Sequence, residues 1–182
     1  MYSESTPVLR NLGDIMQKEL PVRKNIRLQG YDYSQNGAYF ITICSYCREN
    51  LFGEIVVGQG LCSCRLSNVG NIIENEISQL PIRYTNIKID NYVVMPNHIH
   101  LILSIVAERQ EQSPCPTIGD IICALKSITT KRANNEDLVS GRKIWQFRFH
   151  DHIIRDELEY QKIWQYINEN PAKWADDCYY SV

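Results

Sequence analysis

The sequence predicts an α+β fold of the ferredoxin-like type, in which an antiparallel sheet carries helices packed on one side. The 182 residues, 44% of them hydrophobic, suit a globular protein with a buried core. Strand-like and helical patterns follow one another in the order strand, hairpin, helix, two strands, helix, strand, helix, which is typical of this plan. We expect one domain over residues 23–182, preceded over residues 1–22 by a leader of uncertain order.

The first half of that domain contains a strand, a hairpin and a helix. Residues 38–45, AYFITICS, are rich in the β-branched and aromatic side chains that favour strands. The runs LFGEIVV and LCSCRL flank a Gly-Gln-Gly segment at 58–60, which predicts a hairpin. Ser67 is a candidate N-cap for a helix through NIIENEISQL, and that helix is expected to end before Pro81.

The second half continues the alternation. The strand-like runs NIKIDNYVVM and HIHLILSI are separated by Pro96 and Asn97, which fit a tight reversal. Thr117 can cap a long helix, TIGDIICALKSITTKRANN, whose apolar residues recur at helical spacing. Gly141 marks a loop, IWQFRFH then predicts a short strand, and a last helix is expected over roughly residues 156–168.

Charge and hydropathy exclude several classes of protein. A net charge of −2 argues against a protein that coats long duplex DNA, because such binding needs a basic excess. Residues 121–150 nevertheless carry six basic and two acidic side chains, which fit either a solvated helix face or a nucleic-acid patch. No stretch approaches the ~20 apolar residues of a membrane helix, and no secretory signal is visible. We therefore expect a cytoplasmic protein.

The seven cysteines allow a zinc site or free thiols. Cys44 with Cys47 and Cys62 with Cys64 have the close spacing of paired zinc ligands. Both pairs lie in strand-like runs without the Gly- or Pro-marked turn that usually wraps a zinc knuckle. Reduced thiols that serve as small core residues are the preferred interpretation.

Two histidines interrupt the apolar alternation of VVMPNHIHLIL. Because side chains alternate along a strand, His98 and His100 share one face, roughly 7 Å apart, near enough to bind a single metal ion. The alternative is a pair of half-buried histidines whose hydrogen bonds are satisfied by backbone groups. A metal site needs a third ligand, either from the second pair, His150 and His152, or from an amide or carboxylate on a helix.

The last predicted helix contains a candidate nucleophile. Tyr166 lies on a different stripe from the core residues, with Lys162 four positions before it and Asn170 four positions after it. A phenol has a pKa of about 10 and attacks phosphorus poorly until a cation or base assists it, so this setting suits phosphoryl attack. A packed helix residue is the alternative. Tyr160 lies about 240° away around the helix and cannot share the site.

Several blocks of the sequence, taken in order, resemble the REP-associated tyrosine transposases. These enzymes belong to the HUH single-tyrosine transposases of small bacterial insertion sequences. The likeness runs from about Arg23 to Trp174, and MPNHIH together with YINENP at this separation is highly specific. The blocks are RKNIRLQGYDYSQNGAYFITICS, YVVMPNHIHLIL, ALKSITTKRAN, IWQFRFHDHIIRDELEY and YINENPAKW. The resemblance implies a ferredoxin-like fold of the HUH endonuclease type.

The resemblance also implies the site and the reaction. His98 and His100 are implied to hold a divalent cation, Mg²⁺ or Mn²⁺, with Asn170 completing the metal shell and Tyr166 as the nucleophile. The implied enzyme, a monomer or homodimer, cleaves and rejoins single-stranded DNA at hairpin-associated sites through a 5′-phosphotyrosine intermediate.

DNA contacts are implied outside the catalytic residues. Phosphate contacts are expected from basic residues before the first strand and on the long helix: Arg23, Lys24, Arg27, Lys126, Lys131 and Arg132. Four aromatic residues can stack on bases, although core packing is the preferred interpretation for each: Tyr31, Tyr33, Trp145 and Phe147.

Two other functions stay open. One is a hairpin-binding module without catalytic turnover, although the presence of the histidine pair, Tyr166 and Asn170 argues against a loss of catalytic activity. The other is a histidine-rich metal hydrolase or oxidoreductase that uses His98, His100, His150 and His152. The resemblance weakens the second alternative, because relatives commonly carry an aromatic residue at position 150 and the histidine at 152 is implied to order local structure.

Overall fold

The computed structural model describes residues 32–58, 61–106 and 116–180. The strands are β1 Gly37–Cys44, β2 Gly53–Gly58, β3 Leu61–Leu66, β4 Ile87–Val94, β5 His98–Ile105 and β6 His150–Ile154. The α-helices are α1 Asn68–Arg83, α2 Ile118–Glu136 and α3 Glu157–Glu169, and two 3₁₀ helices cover Tyr46–Arg48 and Asn170–Asp176. Within these described ranges, no helix has the length and apolar character needed to cross a membrane.

Four strands form an antiparallel sheet in the order β4-β5-β1-β6. This is the order of a ferredoxin-like βαββαβ unit, with the hairpin β2-β3 inserted between the first strand and α1. The predicted α+β fold with its antiparallel sheet is therefore confirmed. In the register of the sheet, Thr42 of β1 lies between His100 of β5 and His150 of β6.

Helices α1 and α2 cover one face of the sheet and form the core with it. The predicted alternation of β5 is confirmed, because its apolar residues, Ile99, Leu101 and Leu103, are fully buried in that core. Burial of each such side chain contributes about 1.5–3 kcal/mol relative to exposure. The core cluster also contains Ile41 and Ile43 of β1, Ile73 and Ile77 of α1, and Ile121 and Leu125 of α2.

The expectation that the helices pack on one side of the sheet is wrong for α3. Its Tyr166 ring contacts Phe40 of β1 and His100 of β5, at centroid distances of 6.1 and 5.2 Å, on the face opposite to α1 and α2. Only Ile167 of α3 is buried. An amphipathic pattern identifies the apolar side of a helix, but it does not say which face of a sheet receives that side.

The caps that begin the helices follow local sequence, as predicted. The Ser67 hydroxyl accepts a hydrogen bond from the Gly70 N–H at 3.1 Å, and Thr117 forms a capping box with Asp120. The predicted end of α1 is wrong, since the helix continues through Pro81 to Arg83. The buried side chain of Leu80 holds this last turn in the core, and the Leu80 carbonyl accepts from the Tyr84 N–H beyond the proline.

The strand predicted over IWQFRFH lies further along the chain. Trp145 makes only an isolated bridge with Ser45, and the last strand of the sheet begins at His150. The intervening carbonyls of Gln146 and Phe147 accept hydrogen bonds from the Lys126 ammonium, so they do not pair with β1. The Gln146 N–H still donates to the Cys44 carbonyl of β1, so the pairing is interrupted at the two carbonyls that a side chain from a distant helix occupies.

Candidate active site

Strand β5 places two imidazoles on the face covered by α3. His98 and His100 are 0% and 1% exposed, and their ring centroids are 4.5 Å apart, which confirms the predicted shared face. Burial lowers the pKa of His98 to about 4, with Asp177 opposing and Arg48 adding to the decrease. Burial, followed by the charges of His98 and His150, holds the pKa of His100 well below its usual value. Both rings are therefore neutral at pH 7, which is the form that binds metal ions.

The buried amide of Asn97 orients His98. Its Nδ2 donates to the carbonyls of Tyr179 at 2.8 Å and Arg48 at 3.2 Å, so its Oδ1 faces the His98 Nδ1 at 2.9 Å. Because Oδ1 can only accept, His98 carries its proton on Nδ1. The other ring nitrogen, Nε2, keeps its lone pair, is buried, and has no hydrogen-bond partner among the described residues.

His100 lies between a hydroxyl group and the predicted nucleophile. Its Nδ1 is 2.8 Å from the Thr42 hydroxyl, and its Nε2 is 3.3 Å from the Tyr166 hydroxyl. Burial raises the pKa of Tyr166 to about 12, the charges of Asp177 and its neighbours add to the increase, and a hydrogen bond with Asn170 opposes it. The phenol is consequently protonated at pH 7.

A carboxylate completes a three-residue group that can hold a metal ion. Ligand atoms of His98, His100 and Asp177 all lie within 4.8 Å of one another. Sequence reasoning missed Asp177, because it considered carboxylates on helices and this one follows the 3₁₀ helix Asn170–Asp176. The C-terminal segment folds back over the site, where the Tyr179 ring lies 4.6 Å from the His98 ring. No periodic pattern in the sequence marks such a return.

Asn170 lies at the same site, one helical turn after Tyr166. It is 3% exposed, and its Nδ2 donates to the Asp177 carboxylate at 2.8 Å. Its Oδ1 is buried and has no partner in the described part of the chain. A cavity of about 270 Å³ is lined by these residues and their neighbours: Tyr166, Glu169, Asn170, Lys173, Asp176, Asp177 and Cys178. Metal binding by Asn170 stays a prediction.

The second histidine pair lies elsewhere. His150 is exposed on the edge strand β6, and the His152 Nε2 is 2.7 Å from the Glu159 carboxylate of α3. Among the described residues, the group that can hold a metal ion includes neither of them. The structure therefore does not form the four-histidine site of the hydrolase alternative, and His152 connects β6 to α3.

The predicted DNA-contacting side chains have different surroundings. Lys131 is exposed, whereas Lys126 donates to two backbone carbonyls and Arg132 pairs with the buried Glu76 at 2.5 Å. Their contacts with DNA stay predictions, and two of these cations already have intramolecular partners. The other three predicted residues lie outside the described part of the chain: Arg23, Lys24 and Arg27.

The cysteines whose side chains the structure describes form no group that can hold zinc. Cys44, Cys47 and Cys64 are free thiols, and burial raises the pKa of Cys44 and Cys64 to about 11. None of them belongs to a metal-binding group among the described residues. The three are free thiols, as expected, but the predicted core role is wrong, because Cys44 and Cys64 are only partly buried and Cys47 is exposed.

Comparisons with known proteins identify the family. Residues 67–170, more than half of the chain, match the family described as "Transposase IS200 like". The chain belongs to the IS200-like transposase family. The matched segment of this IS200-like transposase contains the histidine pair, Tyr166 and Asn170. The resemblance seen in the sequence is confirmed at this level, and the protein is an enzyme of DNA transposition.

Two further similarities extend over most of the chain. The transposase is 34% identical over 173 residues to an uncharacterized protein of Haemophilus influenzae, covering 87% of this chain and 93% of that protein. It is also similar to a solved REP-associated tyrosine transposase bound to a REP hairpin, with 22% identity and a TM-score of 0.51. That similarity covers 79% of this chain and 71% of the solved chain, and it supports the fold.

Proposed function

We propose that this transposase cleaves and rejoins single-stranded DNA at hairpin-associated sites, with Tyr166 as the nucleophile and Mg²⁺ or Mn²⁺ as the cofactor. The observation that carries the proposal is the position of the Tyr166 hydroxyl, 3.3 Å from the Nε2 of a histidine in the metal-capable group. The solved transposase of similar fold is bound to a REP hairpin, which supports hairpin DNA as the substrate here.

The residues of the site fit a divalent cation. His98 Nε2 and Asn170 Oδ1 are buried acceptors without a partner among the described residues, and Asp177 supplies negative charge beside them. His98, His100 and Asp177 would hold the ion, with the Asn170 amide oxygen as a further ligand. Bound there, the cation would stabilise the negative charge of the phosphate oxygens and the charge that develops on the leaving 3′ oxygen. The neutral imidazoles need not lose a proton before they bind it.

Tyr166 supplies the chemistry of strand cleavage. The phenol oxygen forms a bond to phosphorus while the bond from phosphorus to the 3′ oxygen breaks. The 3′ oxygen leaves with the electron pair and takes up a proton from water, and the phenol proton passes to water at the exposed side of Tyr166. The products are a 5′-phosphotyrosine and a free 3′-OH. Because the phosphodiester energy stays in the tyrosine linkage, a later 3′-OH can reverse the step and join two strands without ATP.

Packing holds the tyrosine for this attack. The Tyr166 ring lies edge-on to the Phe40 ring, with a centroid distance of 6.1 Å, and the tyrosine remains 41% exposed. The buried Ile167 on the next position anchors α3 on the sheet. One side of the nucleophile is therefore fixed against β1 and β5, and the other side is open to a DNA strand.

A covalent-adduct assay tests the proposal. The protein is incubated with 3′-labelled single-stranded hairpin DNA and Mn²⁺, and the products are separated on a denaturing gel. We expect a labelled protein–DNA adduct that EDTA abolishes and that Tyr166→Phe eliminates. Tyr160→Phe is the matched control, because Tyr160 packs on Trp164 in the same helix and should leave the adduct in place. An adduct of normal yield in Tyr166→Phe would contradict the assignment, and hairpin binding without any adduct would favour a binding module.

A further inference from the structure

A bulge next to β6 exposes one aromatic side chain almost completely. The register against β1 shifts by two residues between the Ser45–Trp145 bridge and the Thr42–His150 pair. The extra length of chain turns outward, and Phe147 within it is 95% exposed. The sequence favoured core packing over base stacking for both aromatic residues. That prediction is right for Trp145, which is 7% exposed, and wrong for Phe147.

An ammonium group holds this bulge in place. The half-buried Lys126 of α2 donates to the carbonyls of Gln146 and Phe147, the latter at 2.9 Å. Burial lowers the pKa of Lys126, because its ammonium is partly withdrawn from water. Two charge-assisted hydrogen bonds fix the backbone at this point. Because these hydrogen bonds fix the backbone, the Phe147 ring stays outside the core, although burying it would stabilise the fold by about 1.5–3 kcal/mol.

The exposed ring borders a groove of about 690 Å³ between α2 and the segment at 141–149. Its floor is apolar and includes Ile122, Ile144 and Phe149. The residues that line it include four cationic side chains and no carboxylate, the cations being Lys126, Lys131, Arg142 and Lys143. Arg142 pairs with Asp137, and the Lys143 ammonium lies over the Tyr46 ring, 5.1 Å from its centroid.

An apolar ring beside cationic groups matches the two parts of a nucleotide, a base with a π-face and a charged phosphate. We infer that Phe147 is a stacking platform for one unpaired base of single-stranded DNA, with Lys131 and Lys143 contacting the adjacent phosphates. This inference rests on the proposed single-stranded DNA substrate. A base paired within a duplex has no free face for Phe147, so the occupant is an unpaired nucleotide, and we assign it to the single-stranded flank of the hairpin. The groove borders α2, so it lies at the β6 edge of the sheet on the face away from the histidines, and a bound strand would pass around this edge between the two.

The test measures DNA binding separately from cleavage. All variants are made in a Tyr166→Phe background without metal. The probe is a hairpin oligonucleotide with a single-stranded flank that carries 2-aminopurine, whose fluorescence reports stacking. Loss of one base–aromatic contact costs about 1–3 kcal/mol, so Phe147→Ala should weaken binding by about 5- to 150-fold. Phe147→Trp should bind like the parent, and a blunt hairpin without the flank should not distinguish Phe147→Ala from the parent.

Matched controls separate stacking from general surface effects. Leu138→Ala removes another apolar side chain that is 92% exposed, and it should leave affinity unchanged. Lys131→Gln should reduce the slope of log Kd against log salt by about 1, because it removes one phosphate contact. The inference would be overturned if Phe147→Ala bound the DNA with an affinity within twofold of the parent and left the 2-aminopurine fluorescence unchanged. The adduct assay with intact Tyr166 separately decides the proposed function, so the two failures are distinguishable.

Discussion

Asn97→Ala should weaken metal binding although Asn97 is not a proposed ligand. The amide is 0% exposed, and it accepts from the His98 Nδ1–H while it donates to the carbonyls of Arg48 and Tyr179. Loss of the acceptor leaves the imidazole free to change tautomer or to rotate. Removing such a partner of a ligating histidine typically costs 10- to 100-fold in metal affinity. We expect a decrease of that size in Mn²⁺ affinity, measured by calorimetry.

The same substitution should reduce the stability of the fold. It leaves the buried His98 ring N–H without a partner, at a cost of about 1–3 kcal/mol, and it removes hydrogen bonds to the backbone carbonyls of Arg48, an exposed residue, and Tyr179, a half-buried one. One of these carbonyls belongs to Arg48, whose φ of 58° lies in the left-handed region that non-glycine residues rarely adopt. The free energy of unfolding should therefore fall by at least about 1–3 kcal/mol, as measured by urea denaturation.

Asn97→Asp separates the two roles of the amide. The carboxylate still accepts from the His98 Nδ1–H, but it can no longer donate to the two carbonyls. Nitrogen NMR of the metal-free protein should show the Nδ1–H tautomer of His98 in the parent and in Asn97→Asp, and a changed tautomer ratio in Asn97→Ala. The reasoning would be refuted if Asn97→Ala bound Mn²⁺ with the affinity of the parent and kept the same His98 tautomer as the parent.

Two further predictions concern stability. His98 has a pKa of about 4 in the folded protein against 6.5 when unfolded, so the unfolded state takes up the proton first. The free energy of unfolding of the metal-free protein should be highest above pH 6.5 and fall by up to about 3 kcal/mol as the pH drops to 4. Urea denaturation at each pH measures this fall, and an equal fall in His98→Gln would contradict its assignment to His98. A Cβ at Gly70 would lie 2.0 Å from the Phe52 carbonyl oxygen, so Gly70→Ala should destabilise by about 1–3 kcal/mol. The exposed neighbour Asn71→Ala should stay within about 0.5 kcal/mol, and equal stability of the two variants would exclude the clash.

Patterns that repeat within a few residues were predictable from the sequence. The caps at Ser67 and Thr117 form as expected, because a cap involves only the first helical turn. The shared face of His98 and His100 follows from the two-residue period of a strand, whatever the strand pairs with. The strand order also agrees with the alternation of elements, since few arrangements of this series avoid crossed connections.

Features that join distant parts of the chain were not predictable in the same way. The stretch IWQFRFH has strand-forming residues, yet Lys126 from α2 removes two of its carbonyls from the sheet and exposes Phe147. Arg132 was expected to contact phosphates, and the structure pairs it with the buried Glu76 of α1. A charged side chain finds its partner only after the helices have packed.

By itself, the sequence determined the α+β plan, the helix starts, the histidine pair on one face of β5 and the likeness to tyrosine transposases. Only the tertiary structure decided that α3 crosses to the histidine face, bringing the Tyr166 hydroxyl to a ring 66 positions away, and that Asp177 returns beside it. The physical reason is that the two kinds of feature depend on residues at different separations along the chain. Periodicity and capping depend on neighbours within one or two turns, whereas the choice of sheet face and the path of the C-terminal segment depend on the packing of the whole core.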